Sequence, residues 1–242
     1  MVNLKVLAII PARGGSKGIP RKNIALCADR PLIAWTADAV HQSELIDYCI
    51  VSSDDVEIIT LTKGFGINAP FVRPDVLSQD ETPALPVIMH AVDWMETHRD
   101  FIADIIVLLQ PTSPLRTGRH IDEAIKLLIE NAEADSVVSV TDVPHQYSPL
   151  SAMVQKSKYV VPWQSQNENR NLRQLKPKFL ARNGAAIYAF RRSCLKEKNS
   201  IYGDKVCPYY MSNKESIDID SLFDLKICEM LLKEREDSKG LL

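Results

Sequence analysis

Runs of aliphatic and β-branched residues recur along this chain, and most are followed by a segment with helical periodicity. The runs are Leu4–Ile10, Tyr48–Ser52, Ile105–Leu109, Ser136–Val140 and Ala185–Phe190, with a shorter one at Ala69–Val72. Between them Leu32–His41, Val56–Gly64, Pro86–Thr97 and Gly118–Asn131 read as helices, and Ser221–Glu236 reads as a closing helix capped by Ser221. In Gly118–Asn131 the apolar residues Ile121, Ala124, Ile125, Leu128 and Ile129 share one face. Strands alternating with helices predict βαβ units, hence an α/β fold around a mostly parallel sheet. Ligands of such sheets collect beyond the carboxyl ends of the strands. The chain of 242 residues suffices for one such domain with a modest appendage.

The segment after the first run is unlike a simple connection. PARGGSKGIPRKN, Pro11 to Asn23, packs three glycines, two prolines and four cations into thirteen residues. Gly14, Gly15, Gly18 and Pro20 exclude regular structure along its length. Glycines let backbone amides converge on an anion, and Arg13, Lys17, Arg21 and Lys22 supply charge-assisted donors. The loop is neither G-x-x-x-x-G-K-[ST] nor G-x-G-x-x-G, so it is not a Walker loop or a dinucleotide fingerprint. It predicts an anion site of another kind.

The formal net charge of −2 makes that positive site local and argues against a general nucleic-acid binder. Five scattered cysteines without a C-x-x-C pair read as reduced thiols of a cytoplasmic protein, and Cys49 as a small core residue. The opening apolar run is too short to span a membrane. His41, His98, His120 and His145 show no zinc-ligand spacing, and His90 reads as a satisfied core or helix-face histidine.

Three further motifs come after strands or close the chain. SIDIDS, Ser216 to Ser221, sets Asp218 and Asp220 on one side of an extended segment and two isoleucines on the other. Such a pair either shares a cation, as Mg²⁺ prefers, or forms a solvent-facing edge, with Asp220 capping the last helix. SSDD, Ser52 to Asp55, could bind metal or ribose, and one of its acids is expected to cap the next helix. QPTSPLR, Gln110 to Arg116, makes a rigid polar turn suited to substrate recognition. From about Thr141 to Arg182 the strand–helix rhythm fails in a Gln-, Asn-, Pro- and Lys-rich stretch with strand-like pieces such as Lys158–Val161, which predicts a functional segment or an interaction arm.

Taken together, ARGGSKGIPRKN, RPDVLSQDET (Arg73–Thr82), LLQPTSPLR, RNGAAIY (Arg182–Tyr188) and YYMSNKESIDIDS (Tyr209–Ser221) resemble the acylneuraminate (nonulosonic acid) cytidylyltransferases, the CMP-sialic acid synthetase family. The motifs occur in the family's order over nearly the whole chain. The resemblance implies a Rossmann-like, three-layer nucleotidyltransferase fold in one domain spanning residues 1–242, with residues 141–182 inserted as a small dimerisation arm. It also implies the reaction: the anomeric hydroxyl of a nine-carbon 2-keto sugar acid attacks the α-phosphate of CTP, releasing pyrophosphate.

By the same resemblance, Arg13, Gly14, Ser16, Lys17, Lys22 and Asn23 would cradle the CTP phosphates and ribose. Arg73 would lie near the cytosine, supported by Asp80 and Thr82. Gln110, Thr112, Ser113 and Tyr188 would face the sugar acid, and Arg170 and Arg173 would reach the partner subunit's site in a homodimer. Asp218 and Asp220 would hold Mg²⁺ or Mn²⁺, with Asp220, Lys22 and Arg13 as the catalytic set. Some sialic acid-using members carry a lysine after a His-Pro pair at the start of the arm, whereas this chain reads PHQYSPLSA. The sugar, whether sialic, legionaminic or pseudaminic in type, is thus left open. The other readings are a cytidylyltransferase for an eight-carbon keto sugar acid and a catalytically silent nucleotide-binding module. Nucleic acid and membrane are not expected partners.

Overall fold

A computed structural model describes residues 4–16, 18–163 and 177–239. Among the described residues eleven strands form in chain order. They are β1 (Val6–Pro11), β2 (Leu26–Cys27), β3 (Arg30–Pro31), β4 (Tyr48–Ser52), β5 (Ile105–Leu108), β6 (Ser136–Asp142), β7 (Met153–Lys156), β8 (Tyr159–Pro162), β9 (Leu180–Arg182), β10 (Tyr188–Arg191) and β11 (Val206–Tyr210). The α-helices are α1 (Leu32–His41), α2 (Val56–Gly64), α3 (Ala84–Arg99), α4 (Gly118–Glu130), α5 (Arg192–Lys196) and α6 (Leu222–Lys239).

The main sheet runs β11-β6-β10-β5-β1-β4, with β9 also paired to β6. β4, β1 and β5 are mutually parallel, and so are β11 and β6; β10 runs antiparallel between β5 and β6. The alternation within β1 shows why three layers form. Val6, Ala8 and Ile10 point into a core built with α1, α2 and α4, while Leu7 and Ile9 point into a second core built with α3. A sheet apolar on both faces must be covered on both, as its continuous aliphatic strands require. A third, smaller cluster joins Cys228 and Leu232 of α6 to Cys27, Trp35 and Ile219.

Local chemistry explains the helix boundaries. Asp55 caps α2, its carboxylate accepting from Glu57 N and Ile58 N at 2.8 and 3.1 Å. Ser221 caps α6: its hydroxyl accepts from Asp224 N, and the Asp224 carboxylate accepts back from Ser221 N at 2.8 Å. The buried face of α4 holds Ile121, Ala124, Ile125 and Leu128, but Ile129 is 41% exposed, so the apolar stripe is one residue narrower than its sequence suggested.

Several expectations need correction. Ala69–Val72 is not a strand: Asn68 and Val72 make isolated bridges to Ile50 and Ser53, and Pro70 between them has no N–H to extend a ladder. Strand β10 begins at Tyr188 rather than Ala185, because Gly184 and Ala185 occupy the left-handed region at φ +67° and +55°. His90 is not satisfied: its Nδ1 is buried without a hydrogen-bond partner, the ring stands edge-on to Phe71, and burial lowers its pKa. All five cysteines are unpaired; Cys49 is half-buried against the first core. The segment from Thr141 onward stays tied to the main sheet through β9, while β7 and β8 form a separate two-stranded sheet.

Candidate active site

The loops that leave the carboxyl ends of β1, β4 and β5 converge on one edge of the sheet. The β1 loop starts with Ala12 N donating to Ser52 O of β4. Arg21 takes a left-handed conformation (φ +53°) and starts a single 3-10 turn, Lys22–Ile24. Asn23 Nδ2 donates to Arg13 O at 2.9 Å, folding the loop back on itself. Gly14 is packed so tightly that a Cβ would stand 2.6 Å from the Asp55 carboxylate, and its N–H donates to Asp54 Oδ1.

The loop lines the first of two adjoining cavities. The first, about 460 Å³, is lined by Arg13, Ser16, Lys22, Asn23, Arg73, Asp80, Thr82 and Asp220. The second, about 530 Å³, is lined by Tyr188, Tyr202, Arg182, Gly184 and Asp218. Gln110 and Ala84 line both and so mark the boundary between them. Both volumes suit a small-molecule substrate.

Cations dominate the first cavity but are not left alone. Lys22 Nζ donates to Ile219 O at 2.7 Å and to Asp220 Oδ1 at 3.0 Å. Arg13 Nη1 pairs with Asp80 Oδ1 at 2.9 Å and donates to Gln79 O. Arg73 is 3% exposed; burial lowers its pKa, opposed by Asp54, whose Oδ1 lies 3.4 Å away. Asp54 therefore braces both Gly14 and Arg73. It is the residue of SSDD whose role could not be separated from capping in the sequence, because Asp55 beside it is the one that caps.

The aspartate pair straddles the boundary. Ile219 is fully buried and Ile217 partly so, and Ile219 N donates to Thr112 O, which pins SIDID against the QPTSPLR turn. The segment is not a solvent-facing edge strand, and Ser221 rather than Asp220 caps α6. Asp220 is exposed toward Lys22 in the first cavity, and Asp218 reaches the second. Asp218 Oδ1 is buried with no hydrogen-bond partner among the described residues. Burial, and then repulsion from Asp220, hold the Asp218 carboxyl above its ordinary pKa, while Thr112 and Lys22 pull the other way. A buried, unsatisfied carboxylate oxygen beside a second carboxylate is what a hard divalent cation relieves, so the pair fits Mg²⁺ or Mn²⁺. Among the described residues no group of three or more His, Cys, Asp or Glu forms a metal cage. Two carboxylates completed by phosphate oxygens are a usual arrangement for Mg²⁺.

The remaining predicted residues divide between the cavity walls and the interior. Gln110 and Thr112 border the cavities, and Tyr188 lines the second, its hydroxyl pushed up to about 12, chiefly by burial. Ser113 is fully buried and lines neither cavity, and its hydroxyl has no partner among the described residues. Lys17, Arg170 and Arg173 lie outside the described residues. The sequence reading missed Tyr202, which borders the second cavity with Arg182, and no local pattern marked it. Arg182 stacks on the Tyr202 ring and donates to its hydroxyl. Gly184 was visible only as part of RNGAAIY; a Cβ there would stand 2.1 Å from Asp218 Cγ.

The sheet order, the cationic loop and the two cavities define a nucleotidyltransferase fold. Solved structures with that fold include a CMP:2-keto-3-deoxy-manno-octonic acid synthetase complexed with CTP (TM-score 0.71, 18% identity, covering 96% of this chain and 99% of that one). A 4-diphosphocytidyl-2C-methyl-D-erythritol synthase from Anaerococcus prevotii also matches (TM-score 0.63, 13% identity, 96% and 99%). A family model described as cytidylyltransferase matches residues 7–225, and the chain belongs to that family, as its motifs implied. It is 33% identical to a CMP-N,N'-diacetyllegionaminic acid synthase of Campylobacter jejuni, over 94% of this chain and 95% of that protein. It is 29% identical to a pseudaminic acid cytidylyltransferase of the same species, over 97% and 99%. It is 32% identical to the N-acylneuraminate cytidylyltransferase of Escherichia coli over 97% of this chain, which spans 54% of that longer protein.

Proposed function

We propose that this cytidylyltransferase joins CMP from CTP to the anomeric hydroxyl of a nine-carbon 2-keto sugar acid of sialic, legionaminic or pseudaminic type, releasing pyrophosphate. The observation that carries the reading is the division of the aspartate pair between two adjoining cavities, with Lys22 against Asp220 and Gln110 on the boundary. In-line transfer to the α-phosphate needs a nucleotide and a hydroxyl donor held face to face at one charged junction. The relatives named above act on such sugar acids or are named for their CMP products, which favours nine carbons over eight.

In this reading Arg13, Lys17 and Lys22, with the amides of the loop beyond Gly14, whose own N–H is held by Asp54, hold the triphosphate and stabilise the charge that grows on leaving pyrophosphate. Arg73, braced by Asp54, meets the base end of the nucleotide together with Asp80 and Thr82. Gln110, Tyr188 and Arg182 orient the sugar acid. Asp218 and Asp220 hold Mg²⁺ or Mn²⁺, which when bound neutralises phosphate charge. Asp220 also positions the attacking hydroxyl. A homodimer made through residues 141–182 would bring Arg170 and Arg173 to the neighbouring site. With CTP as substrate and five unpaired thiols, the expected compartment is the cytoplasm. None of the described helices is long and apolar enough to cross a membrane.

The direct test is pyrophosphate release from CTP and Mg²⁺ with N-acetylneuraminic, legionaminic, pseudaminic and eight-carbon keto acids in separate reactions. Release with one nonulosonic acid is expected and names the sugar. Release with the eight-carbon acid alone would replace the proposal by its rival, and CTP binding without release from any acid would indicate a silent module.

A further inference from the structure

Asn183 lies between β9 and the left-handed turn at Gly184, is 3% exposed and lines neither substrate cavity. The catalytic reading makes no use of it. A buried primary amide is costly unless its acceptor and its donors are met. Here they are met. Ser139 Oγ, from the interior of β6, donates to Asn183 Oδ1 at 2.6 Å. The same hydroxyl accepts from Ile187 N at 2.9 Å, so its own proton is free for Asn183. That bond turns the amide NH₂ the other way, where it donates to Ser216 Oγ at 3.0 Å and to Met211 Sδ at 3.3 Å.

Ser216 opens the segment that carries the aspartate pair, two residues before Asp218. The other end of that stretch is held by Ile219 N, which donates to Thr112 O at 2.9 Å. Asp218 is thus suspended between a bond from Asn183 and a bond to the Gln110–Arg116 turn. The backbone that follows Asn183 meets it as well, since a Cβ on Gly184 would stand 2.1 Å from Asp218 Cγ. Through Ser139 the amide is anchored to the central sheet. Through Ser216 and Gly184 it reaches Asp218 by two routes along the chain.

We propose that Asn183 is a positioning residue for the divalent cation. By holding Ser216 it sets where the Asp218 carboxylate meets Mg²⁺, and so how much the metal adds to the binding of CTP. The inference rests on the metal-holding role proposed above for Asp218. Groups that orient metal ligands from behind contribute about 10–100-fold to metal affinity. Because Asn183 lines neither cavity, its loss should leave the binding of metal-free CTP as it is.

The test is calorimetric titration of the full chain with CTP, once with Mg²⁺ and once with a chelator, and with no sugar acid present. The ratio of the two affinities is the gain due to the metal. It is compared among wild type, Asp218→Asn, Asn183→Ala, Ser216→Ala and Ser216→Thr. The gain is expected to vanish in Asp218→Asn and to fall by about tenfold in Asn183→Ala and Ser216→Ala. It should survive in Ser216→Thr, which keeps the hydroxyl. Affinity in chelator should match wild type in the Asn183 and Ser216 variants, which a misfolded protein would not do. Ser216 is half-buried, so its two variants decide the matter should Asn183→Ala fail to fold. A gain kept in both Asn183→Ala and Ser216→Ala, or lost alike in Ser216→Ala and Ser216→Thr, overturns the inference while the metal reading stands. A wild type with no gain for Asp218→Asn to remove overturns both.

Discussion

Asp218 and Asp220 sit two positions apart and carry opposite costs. Asp220 has a side chain 79% exposed and one ion pair, to Lys22, so replacing it should barely touch the fold. Asp220→Asn is expected to leave the melting temperature nearly unchanged, since exposed pairs contribute roughly 0–1 kcal/mol. Turnover in pyrophosphate release should fall by about 10²-fold or more, as for removal of other charge-organising groups. Near-normal turnover would take Asp220 out of the catalytic set. Asp218 is instead half-buried with one inaccessible, unsatisfied oxygen, and Gly184 makes room for it. Gly184→Ala places a Cβ against the carboxylate at a φ of +67° and should cost about 1–3 kcal/mol in thermal denaturation, with activity lost alongside. Gly15 lines the same site, but a Cβ there meets nothing within 4 Å, so Gly15→Ala should melt like wild type. Equal melting temperatures for the two variants would show that Gly184 is not needed for Asp218.

Helix α4 shows how one element joins stability to the site. Its first turn is closed by Thr117, whose hydroxyl accepts from His120 N, and by the His120 ring, whose Nδ1 accepts from Thr117 N. Burial lowers the His120 pKa despite Glu215 at 3.3 Å and Glu123, with Arg119 and Arg116 adding to the depression. The folded state therefore binds the His120 proton more weakly than the unfolded chain. Stability from this group is complete above the unfolded value of about 6.5 and is lost as pH falls below it. Melting temperature should drop between pH 7.5 and 5.5 more steeply in wild type than in His120→Gln, whose amide oxygen can still accept from Thr117 N. Parallel slopes would mean that His120 does not set the acid side of the stability curve.

Element type was mostly legible, and α1 and α2 have the bounds their patterns gave, because periodicity and capping residues act within a few positions. Strand β11 was not legible: VCPYY contains Pro208, which argues against a strand until the sheet order puts β11 at an edge, where a missing N–H is tolerated. The start of β10 was misplaced because nothing local in RNGAAIY reports two successive left-handed residues.

At the scale of the whole molecule one feature gathers several exposed apolar residues within a short stretch of chain. Tyr159 and Val160 of β8, Met153 of β7, and the adjoining Tyr147 and Trp163 are 54–73% exposed. A solvent-facing hairpin this apolar marks an association surface, which supports the proposed dimer. Val160→Glu combined with Trp163→Asp should give monomers by light scattering, with little change in far-ultraviolet circular dichroism and with most activity lost. Monomers that keep full turnover would mean that each subunit's site is complete by itself.

The sequence alone determined the kinds of element, the mostly parallel α/β class, the cationic loop after the first strand and the chemistry of its motifs, because each depends on residues near one another in the chain. Only the tertiary structure decided which motifs meet. Lys22 and Asp220 pair across 198 positions, Asp54 braces Arg73, Tyr202 joins a cavity no motif announced, and Arg116 is buried on the carbonyls of Gln110 and Ala186 and the Thr36 hydroxyl. Those outcomes depend on strand order and helix packing, which bring distant segments together and set the local dielectric around each charge.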